Sequence, residues 1–305
     1  MTKTQKTKVI VTGGAGFIGS HVQDALVEKG YDVHVVDNFS TGKKENIHPA
    51  ATLHEMDIRD FKKIAPLFNG ARFVFHLAAF PRVEPSIQDP ITSHDMNLNG
   101  TLNVLQAAKD AKVEKVIYSA SSAVYGNPDS FPTSENAPVN PMSPYGLQKY
   151  VGELYCRLFS FLYGIQTVSL RYFNVYGRRQ SEEGAYALVI GRFLKEKRGG
   201  RPLPIVPDGN QSRDFVHVRD VVRANLLAME SDRVGKGEVI NIGSGKNYSV
   251  NEIASFIGGP TVFVEPRVEP KKTLADISRA KELLGWEPSV RFEDGIAELK
   301  KLSEI

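Results

Sequence analysis

The feature that most constrains the fold is a regular alternation of two patterns along the first 175 residues of the chain. Short runs rich in Val and Ile, typical of buried strands, alternate with longer stretches whose apolar residues recur at helical spacing. Strands joined through helices must lie parallel, because right-handed crossovers return each strand to the same sheet. The sequence therefore predicts an α/β protein with a doubly wound parallel sheet. Strands are predicted over residues 8–12, 32–37, 52–56, 73–79, 115–120 and 167–172, and helices over 20–29, 61–68, 101–111 and 145–163.

The alternation weakens beyond residue 175, where loops rich in Pro and Arg become frequent. We therefore predict two domains, with residues 1–175 forming the sheet domain and residues 176–305 forming a smaller α/β region. Parts of the second region are expected to return to the first domain. Ligands of doubly wound sheets bind at the carboxyl ends of the strands, so the smaller region is predicted to cover that edge and to bind the substrate.

Composition and charge argue against several classes of protein. The chain has a formal net charge of +3 and a single cysteine, Cys156, so neither a nucleic-acid partner nor an internal disulfide is indicated. No apolar signal region precedes the first strand and no long apolar stretch follows it, which favours a cytoplasmic protein with no membrane partner. The seven histidines lack the i,i+4 spacing of a helical metal site, so we expect no metal.

A glycine-rich turn, Thr12-Gly13-Gly14-Ala15-Gly16-Phe17-Ile18-Gly19, joins the first predicted strand to the first helix. Glycines here allow a tight turn and let backbone N–H groups approach a pyrophosphate at the helix N-terminus. Asp37 ends the second strand, where a carboxylate accepts hydrogen bonds from an adenosine ribose and repels a 2′-phosphate. Because Asn38 rather than Arg follows, the sequence favours a Rossmann-type site for NAD over one for NADP. Residues 57–60 are predicted to flank the adenine, and residues 76–79 to pass beneath the cofactor.

Tyr145 and Lys149 open the longest predicted helix, and their spacing of four places both side chains on one face. A free phenol has a pKa of about 10, and a base that works near neutrality needs that pKa lowered by roughly 3 units. A nearby ammonium group stabilises the phenolate and supplies part of this shift. Ser119, Ser121 and Ser122 lie at the end of the fifth strand, and we expect one of them to hydrogen-bond the reacting oxygen.

Further motifs are spread along the whole chain. They are Asp37-Asn38-Phe39-Ser40-Thr41-Gly42, Ser121-Ser122-Ala123-Val124-Tyr125-Gly126, Arg171-Tyr172-Phe173-Asn174, Ser212-Arg213-Asp214 and Leu274-Ala275-Asp276. With the glycine turn and the Tyr145–Lys149 pair, they make the sequence resemble the extended short-chain dehydrogenases/reductases of the NAD-dependent epimerase/dehydratase type. Among these, it most resembles the UDP-N-acetylglucosamine/UDP-glucose 4-epimerases.

The resemblance implies a set of site residues. The catalytic residues that it implies are Ser121, Tyr145 and Lys149. The cofactor-binding residues are Gly13, Gly16, Phe17, Ile18, Gly19, Asp37, Asn38, Ser40, Thr41, Gly42, Asp57, Ile58, Leu77, Ala78, Ala79, Ser119, Tyr145, Lys149 and Tyr172. The substrate-binding residues are Arg82, Ser121, Ser122, Tyr145, Asn174, Leu188, Val189, Arg213, Arg267 and Thr273.

Ala123 distinguishes between the reactions of similar enzymes. Nucleotide-sugar dehydratases and UDP-glucuronate decarboxylases resemble this chain but carry a carboxylate at this position, which serves elimination or decarboxylation. Ala123 cannot act as an acid or a base, so the resemblance implies C4 epimerisation of a UDP-hexose through a transient 4-keto sugar. Because such a cycle regenerates NAD, the cofactor is expected to stay tightly bound.

Thr273 bears on the choice of substrate. In the resembling enzymes the residue before the Leu274-Ala275-Asp276 stretch lines the hexose 2-position, where a bulky Tyr excludes N-acetyl sugars. Thr273 is small, and residues 184–190 are similar to the subgroup that accepts such sugars. The resemblance therefore implies a UDP-GlcNAc/UDP-GalNAc 4-epimerase that also acts on UDP-glucose. Related enzymes dimerise through two helices, and the apolar residues on more than one face of 101–111 and 145–163 lead us to expect a homodimer.

Three other functions remain open at this level. A UDP-glucose/UDP-galactose 4-epimerase would share every motif except the open 2-position. A sugar-nucleotide reductase would consume added coenzyme stoichiometrically. A non-catalytic NAD-binding protein of the same fold usually lacks the Tyr or the Lys, and both are present here.

Overall fold

The computed structural model describes residues 6–182, 188–265 and 271–305 of the chain. Its strands are β1 (Lys8–Thr12), β2 (Asp32–Asp37), β3 (Thr52–Glu55), β4 (Ala71–His76), β5 (Lys115–Ser121), β6 (Gln166–Tyr172), β7 (Asn174–Tyr176), β8 (Leu203–Ile205), β9 (Ser212–His217), β10 (Lys236–Ile242), β11 (Asn247–Ser249) and β12 (Thr261–Phe263). Its α-helices are α1 (Phe17–Glu28), α2 (Phe61–Ile64), α3 (Val83–Gln88), α4 (Pro90–His94), α5 (Gly100–Asp110), α6 (Pro144–Tyr163), α7 (Val189–Arg198), α8 (Val218–Glu230), α9 (Val250–Ile257), α10 (Ser278–Leu284) and α11 (Phe292–Leu302).

The central layer is a parallel sheet of seven strands among the described residues, in the order β10-β6-β5-β4-β1-β2-β3. Successive residues of β1 pack on opposite faces, with Val9 and Val11 in one apolar cluster and Ile10 in the other. The first cluster includes residues of α1, α8 and α10, and the second includes residues of α5 and α6. Because both faces are covered by helices, the prediction of a doubly wound α/β fold is confirmed.

Several elements differ from the sequence prediction. The predicted strand over 73–79 begins at Ala71 and ends at His76, so the next three residues form a loop. The predicted helix over 61–68 changes to a 3-10 turn at Ala65, next to Pro66, which has no N–H to donate. The seventh strand, β10, lies in the second region of the sequence and was not predicted. Within the described part of the chain it pairs with β6 alone, at the edge of the sheet, and its sequence lacks the continuous apolar run of a central strand.

Beyond β6 the chain builds a smaller unit at the carboxyl edge of the sheet. Strands β11, β9 and β7 form one short sheet, and β12 pairs with β8 in another. Their apolar side chains pack with those of α7, α9 and α11 in a separate cluster that includes Tyr176, Phe193 and Phe292. No helix in the described ranges combines the length and the apolar character needed to cross a lipid bilayer.

Candidate active site

One cavity of about 1980 Å³ runs along the carboxyl ends of the central strands and under the smaller unit. A pocket for a single small ligand measures roughly 300–1,000 Å³. The cavity therefore has room for a cofactor and a substrate side by side. Its lining includes most of the predicted site residues, and Gly42, Asp57 and Val189 lie outside it. Arg267 and residues 183–187 lie outside the described part of the chain.

The glycine turn is shaped by close backbone approaches. Gly13 has a φ of +72°, and a Cβ there would lie 2.6 Å from the backbone nitrogen of Ala78. A Cβ on Gly19 would collide with the carbonyl oxygen of Gly13. The turn therefore tolerates no side chain at either position, and it brings the N-terminus of α1 to the wall of the cavity. An open backbone at a helix N-terminus suits a pyrophosphate.

Asp37 supplies the carboxylate at the end of β2. Its Oδ2 accepts a hydrogen bond from the Ala15 backbone N–H at 2.9 Å, and its Oδ1 accepts one from the Phe39 N–H at 2.8 Å. Burial raises the pKa of Asp37, whereas the two amide hydrogen bonds oppose that rise. Asp37 lines the cavity next to the glycine turn, where the ribose of a bound dinucleotide would lie.

Asp57 and Gly42 lie outside the cavity and contact the residues that line it at this end. Asp57 Oδ2 accepts a hydrogen bond from Asn38 Nδ2 at 2.9 Å. A side-chain hydrogen bond from Arg59 lowers the pKa of Asp57 to about 2. Gly42 packs against Ala15 and Asp37, so a Cβ there would lie 2.7 Å from the Ala15 Cβ. The structure thus places both residues where they hold Asn38 and the turn in position.

His76 anchors the loop that follows β4. Its Nδ1 lies 2.7 Å from Thr12 Oγ1 and its Nε2 lies 2.9 Å from Thr101 Oγ1. The Thr101 hydroxyl donates to the Asn97 carbonyl, so it accepts from a protonated Nε2, and Nδ1 accepts from Thr12. Burial, with the charge of Lys149 as a second cause, lowers the pKa of His76 to about 3. The imidazole is therefore neutral, and it holds the loop at Ala78 against the glycine turn through Thr12.

The first two turns of α6 present the predicted catalytic pair. Ser143 caps the helix by accepting a hydrogen bond from the Gly146 N–H at 3.1 Å. The Tyr145 N–H donates to Ser86 Oγ at 3.1 Å, which fixes α3 against this turn. Lys149 Nζ donates to the Ser119 carbonyl at 2.7 Å and lies 5.9 Å from the centre of the Tyr145 ring. The structure thus places Tyr145 and Lys149 on one face of α6, as their spacing predicts.

The electrostatics of Tyr145 differ from the expectation. Burial raises the pKa of the Tyr145 phenol, and a hydrogen bond with Ser121 and the charge of Arg82 oppose that rise. Burial also lowers the pKa of Lys149 to about 8. The ammonium group is held at the Ser119 carbonyl, and the effect of burial on the pKa of the phenol exceeds that of the groups around it. Of the three serines, Ser121 is the one that lowers the pKa of the Tyr145 phenol.

Arg82 lines the cavity next to Tyr145 in an unusual backbone conformation. Its φ is +83°, a value that L residues other than glycine rarely adopt. Such strain persists only when the surrounding structure fixes it, and it clusters at functional sites. Burial lowers the pKa of the Arg82 guanidinium, and the neighbouring Tyr145 opposes this.

The substrate end of the cavity is assembled from distant segments. Thr273 Oγ1 accepts hydrogen bonds from the Asp214 N–H at 3.0 Å and from Asn174 Nδ2 at 3.3 Å. The buried Asp214 carboxylate in turn accepts from the Ala275 and Gly245 N–H groups, both at 3.0 Å. These bonds bring the predicted substrate residues Asn174 and Thr273 together at the cavity wall, which Arg213 and Leu188 also line.

Other residues line the cavity without having been predicted. They include Lys43, Asn46, Arg179 and Arg192. Arg179 is held by an ion pair of 2.7 Å with Asp24 of α1, and Arg192 lies on α7. A single charged residue on a loop or a helix looks like ordinary solvated surface in a sequence, so no pattern could have identified them.

Comparisons with known proteins agree with this geometry. Residues 9–243 match the model of the NAD dependent epimerase/dehydratase family. The chain is 43% identical to a putative UDP-glucose 4-epimerase of Methanocaldococcus jannaschii, over 94% of this chain and 95% of the relative. The structure of a Thermotoga maritima UDP-glucose 4-epimerase with UDP-glucose is 41% identical, with a TM-score of 0.92, covering 97% of this chain and 99% of that one. The structure of a UDP-N-acetylglucosamine 4-epimerase from Methanobrevibacter ruminantium with UDP-N-acetylmuramic acid is 36% identical, with a TM-score of 0.92 and coverage of 99% and 100%.

The chain therefore belongs to the NAD-dependent epimerase/dehydratase family, and it is an enzyme whose cofactor is NAD. The described residues fit this cofactor. The side-chain-free turn at Gly13 and Gly19 leaves space against the N-terminus of α1 for a pyrophosphate, and Asp37 offers an acceptor for ribose hydroxyls.

Proposed function

We propose that this enzyme interconverts the C4 epimers of a UDP-hexose, and that UDP-GlcNAc and UDP-GalNAc are its main substrate pair. The observation that carries the choice of sugar is the position of Thr273, whose small side chain faces the cavity beside Asn174. UDP-glucose is expected to be a further substrate, because a wider pocket still admits a smaller group.

The chain's own groups divide the work of the reaction. Tyr145 takes the proton from the sugar 4-hydroxyl, and Ser121, which lines the cavity with Tyr145 and lowers the pKa of its phenol, hydrogen-bonds the reacting oxygen. Lys149 holds its ammonium charge beside the phenol while it is anchored on the Ser119 carbonyl. Bound NAD supplies the acceptor and donor of the C4 hydride. Ala123, at the start of the 3-10 turn after β5, offers no acid or base for elimination, so the 4-keto sugar is expected to be reduced again.

Substrate recognition is proposed to come from the smaller unit. Asn174 and Arg213 line the end of the cavity opposite the glycine turn, and arginine suits bidentate contacts with phosphate. Thr273 is held by its two hydrogen bonds, so the part of the cavity that it lines has a fixed wall. We assign that space to the substituent on C2 of the hexose.

The second candidate is a UDP-glucose/UDP-galactose 4-epimerase. It is favoured by the names of the relatives, because both the M. jannaschii and the T. maritima proteins are described as UDP-glucose 4-epimerases. The M. ruminantium protein, of equal structural similarity, is described as a UDP-N-acetylglucosamine 4-epimerase. Similarity alone therefore supports either sugar, and a direct assay must separate them.

The deciding experiment incubates the purified protein with UDP-GlcNAc and with UDP-glucose in separate reactions, without added cofactor. The C4 epimers are then resolved by chromatography. Formation of UDP-GalNAc is expected, and it would support the epimerase reaction, a retained cofactor and the open pocket together. Conversion of UDP-glucose alone would keep the reaction and discard the assignment of Thr273. No epimer of either sugar, even after NAD is added, would mean that the proposed reaction is wrong.

Tight binding of NAD forms part of the proposal. Heat denaturation of freshly purified protein should release close to one NAD per chain, measured by an enzymatic cycling assay. A reductase would instead release little cofactor and would oxidise added NADH in proportion to product. A non-catalytic binding protein would retain NAD and form no product at all.

We also propose that the protein is a cytoplasmic homodimer. The outer face of α6 exposes Leu147, Leu154, Leu158 and Phe161, the last with 84% of its surface accessible. Their spacing places them on one stripe of the helix, and Ile87 and Ile91 are exposed on the neighbouring α3 and α4. A contiguous apolar patch of this kind marks an interaction surface. Light scattering is expected to give twice the chain mass of 33.7 kDa, and a monomer mass would refute the dimer.

A further inference from the structure

The catalytic helix carries a third ionisable residue on the face that holds Tyr145 and Lys149. Glu153 follows Lys149 by four residues, so it lies one turn further along the same stripe. Its side chain is only 2% exposed. Three ionisable groups at this spacing make a short row that runs from the half-buried Tyr145 at the cavity to the buried Lys149 and Glu153.

Glu153 is held by a bidentate ion pair with Arg171 of β6. Arg171 Nε donates to Glu153 Oε1 at 2.8 Å, and a terminal nitrogen of Arg171 donates to Oε2 at 2.7 Å. The guanidinium lies 4.7 Å from the centre of the Tyr125 ring. Tyr125 in turn donates to Asn241 Oδ1 of β10 at 2.7 Å. The turn after β5 and strand β10 therefore fix the direction of Arg171, and through it the carboxylate.

Stability alone does not explain this pair. Replacing a buried ion pair by apolar side chains of similar volume is often neutral or stabilising, because desolvation offsets most of the attraction. A pair that is kept inside a core is more readily explained by what its charges do to a neighbour. The neighbour here is Lys149, whose ammonium group is buried and whose hydrogen-bond partner among the described residues is the Ser119 carbonyl.

The groups that face Lys149 come from several elements. The centre of the Tyr118 ring, on β5, lies 5.0 Å from Lys149 Nζ. Burial raises the pKa of the Tyr118 phenol far above its usual value, so this side chain is neutral. His76 of β4 is neutral as well. Cys156 of α6 acts on Lys149 only as a thiolate, and burial raises the pKa of that thiol to about 12. Tyr145 is a phenol with a raised pKa beside Arg82.

Burial raises the pKa of Glu153, whereas the hydrogen bonds and charge of Arg171 and the charge of Lys149 oppose that rise. Paired with Arg171, Glu153 is the anion that stabilises the Lys149 ammonium among these neighbours. We propose that Glu153 and Arg171 are positioning residues for catalysis. The Glu153 carboxylate keeps Lys149 charged beside Tyr145, and the positive charge of Arg171 weakens the effect of that carboxylate on Lys149. Without Arg171, Glu153 would act on Lys149 with its full charge. Without Glu153, Lys149 would face the uncompensated cation of Arg171. The two residues thus have opposite effects on the same ammonium group.

The inference rests on the proposed function for its kinetic readout, and it predicts shifts of opposite sign. Glu153→Gln should move the alkaline limb of the kcat–pH profile to lower pH by about one unit. At pH 8, a fall of one unit takes the charged fraction of a group with a pKa of 8 from about one half to about one tenth. This corresponds to roughly a fivefold loss of kcat, with the KM for the UDP-sugar changed less than about twofold. Arg171→Gln should move the same limb to higher pH.

Two further variants separate this role from simple support of the fold. The double variant Glu153→Gln/Arg171→Gln removes both charges of the ion pair, so the limb should lie between the limbs of the two single variants. Glu153→Asp keeps the charge and should restore most of the limb's position. A purely structural pair predicts that all variants lose the same fraction of activity at every pH, with no displacement of the limb. That result, or shifts of the two single variants in the same direction, would overturn the proposal.

A second readout does not depend on turnover. The pH dependence of acylation of Lys149 by acetic anhydride, followed by mass spectrometry of its peptide, reports the charge state of the amine in the purified protein. The midpoint should fall in Glu153→Gln and rise in Arg171→Gln. If the enzyme acts on no UDP-hexose but these midpoints still move apart, the proposed function fails and the inference about Lys149 stands. Midpoints that do not move would defeat the inference even in an active epimerase.

Discussion

The two ends of the cavity are built in different ways. The cofactor end is shaped mainly by backbone: Gly13 and Gly19 lie in contact with other main-chain atoms, and Asp37 is held by two amide groups. The substrate end is shaped by side chains from separate segments, with Thr273, Asn174 and Asp214 joined by hydrogen bonds. A backbone site tolerates almost no change. A side-chain site can change its ligand when one residue changes, and substrate choice in this enzyme is therefore expected to depend on very few positions.

The largest expected effect lies where the two ends meet. Tyr145→Phe removes the proposed general base but keeps the ring that packs near Lys149. General acid–base catalysis contributes about 10²–10⁴ in rate, so kcat should fall by roughly a thousandfold. Single-turnover epimerisation measures this, and retained NAD serves as the control for folding. A variant with full activity would show that another group accepts the proton.

The cofactor end can be tested with a matched pair of glycines. Gly13 and Gly30 both have a left-handed φ, +72° and +85°, but a Cβ on Gly13 meets the backbone of Ala78 whereas Gly30 has nothing within 4 Å. Alanine costs about 1–2 kcal/mol of backbone strain at either position. Gly13→Ala should also lose most of its NAD, while Gly30→Ala should keep it. The measurement is the NAD released per chain. Equal retention of NAD in both variants would show that the close backbone contact at Gly13 is not needed for cofactor binding.

The substrate end should respond in selectivity rather than in overall rate. Thr273→Tyr is expected to lower kcat/KM for UDP-GlcNAc relative to UDP-glucose by on the order of 100-fold, by filling the space assigned to the N-acetyl group. Thr273→Val keeps the size but removes the hydroxyl that binds Asn174, so it separates crowding from a lost hydrogen bond. An equal loss of kcat/KM for both substrates in the Tyr variant would contradict the assignment of this space to the N-acetyl group.

A smaller effect is expected from the buried imidazole of His76. The folded-state pKa of His76 is about 3, below its ordinary value of 6.5, so the unfolded chain binds the additional proton. Stability from this group is therefore fully present above about pH 6.5 and is lost as the pH falls towards 3. Urea unfolding between pH 7 and 4 should show this slope, and His76→Gln should flatten it. An unchanged slope in that variant would assign the acid sensitivity to other groups.

Much of the cofactor end could be predicted from sequence, because local order along the chain determines it. The positions of Gly13, Gly19 and Asp37 follow from one strand–turn–helix–strand unit, and Tyr145 and Lys149 follow from helical spacing. The substrate end could not be derived in this way. Residues 174, 213 and 273 are far apart in the sequence and come together only when the chain folds. Their common site was therefore predicted from the family resemblance, and the structure shows their positions directly.

Two further features were beyond sequence reasoning for physical reasons. The pKa of Tyr145 is raised because burial outweighs the neighbouring charges, and burial of a single side chain has no sequence pattern. Glu153 is one acidic residue on a helix, which alone looks like a solvated position. Only the pairing with Arg171 in the core gives it a role.

The position of β10 has a consequence for how the molecule is made. Residues 236–242 complete the sheet by pairing with β6, which lies about seventy residues earlier in the sequence. During synthesis, β6 leaves the ribosome long before its outer partner, so one row of its backbone hydrogen-bonding groups stays open for several seconds at ordinary elongation rates of roughly 5–20 residues per second. An unpaired edge strand is a template for association with other chains. The nascent protein therefore passes through a stage in which its central sheet has an exposed edge, and that stage ends only when the eighth helix and the strand after it have been translated.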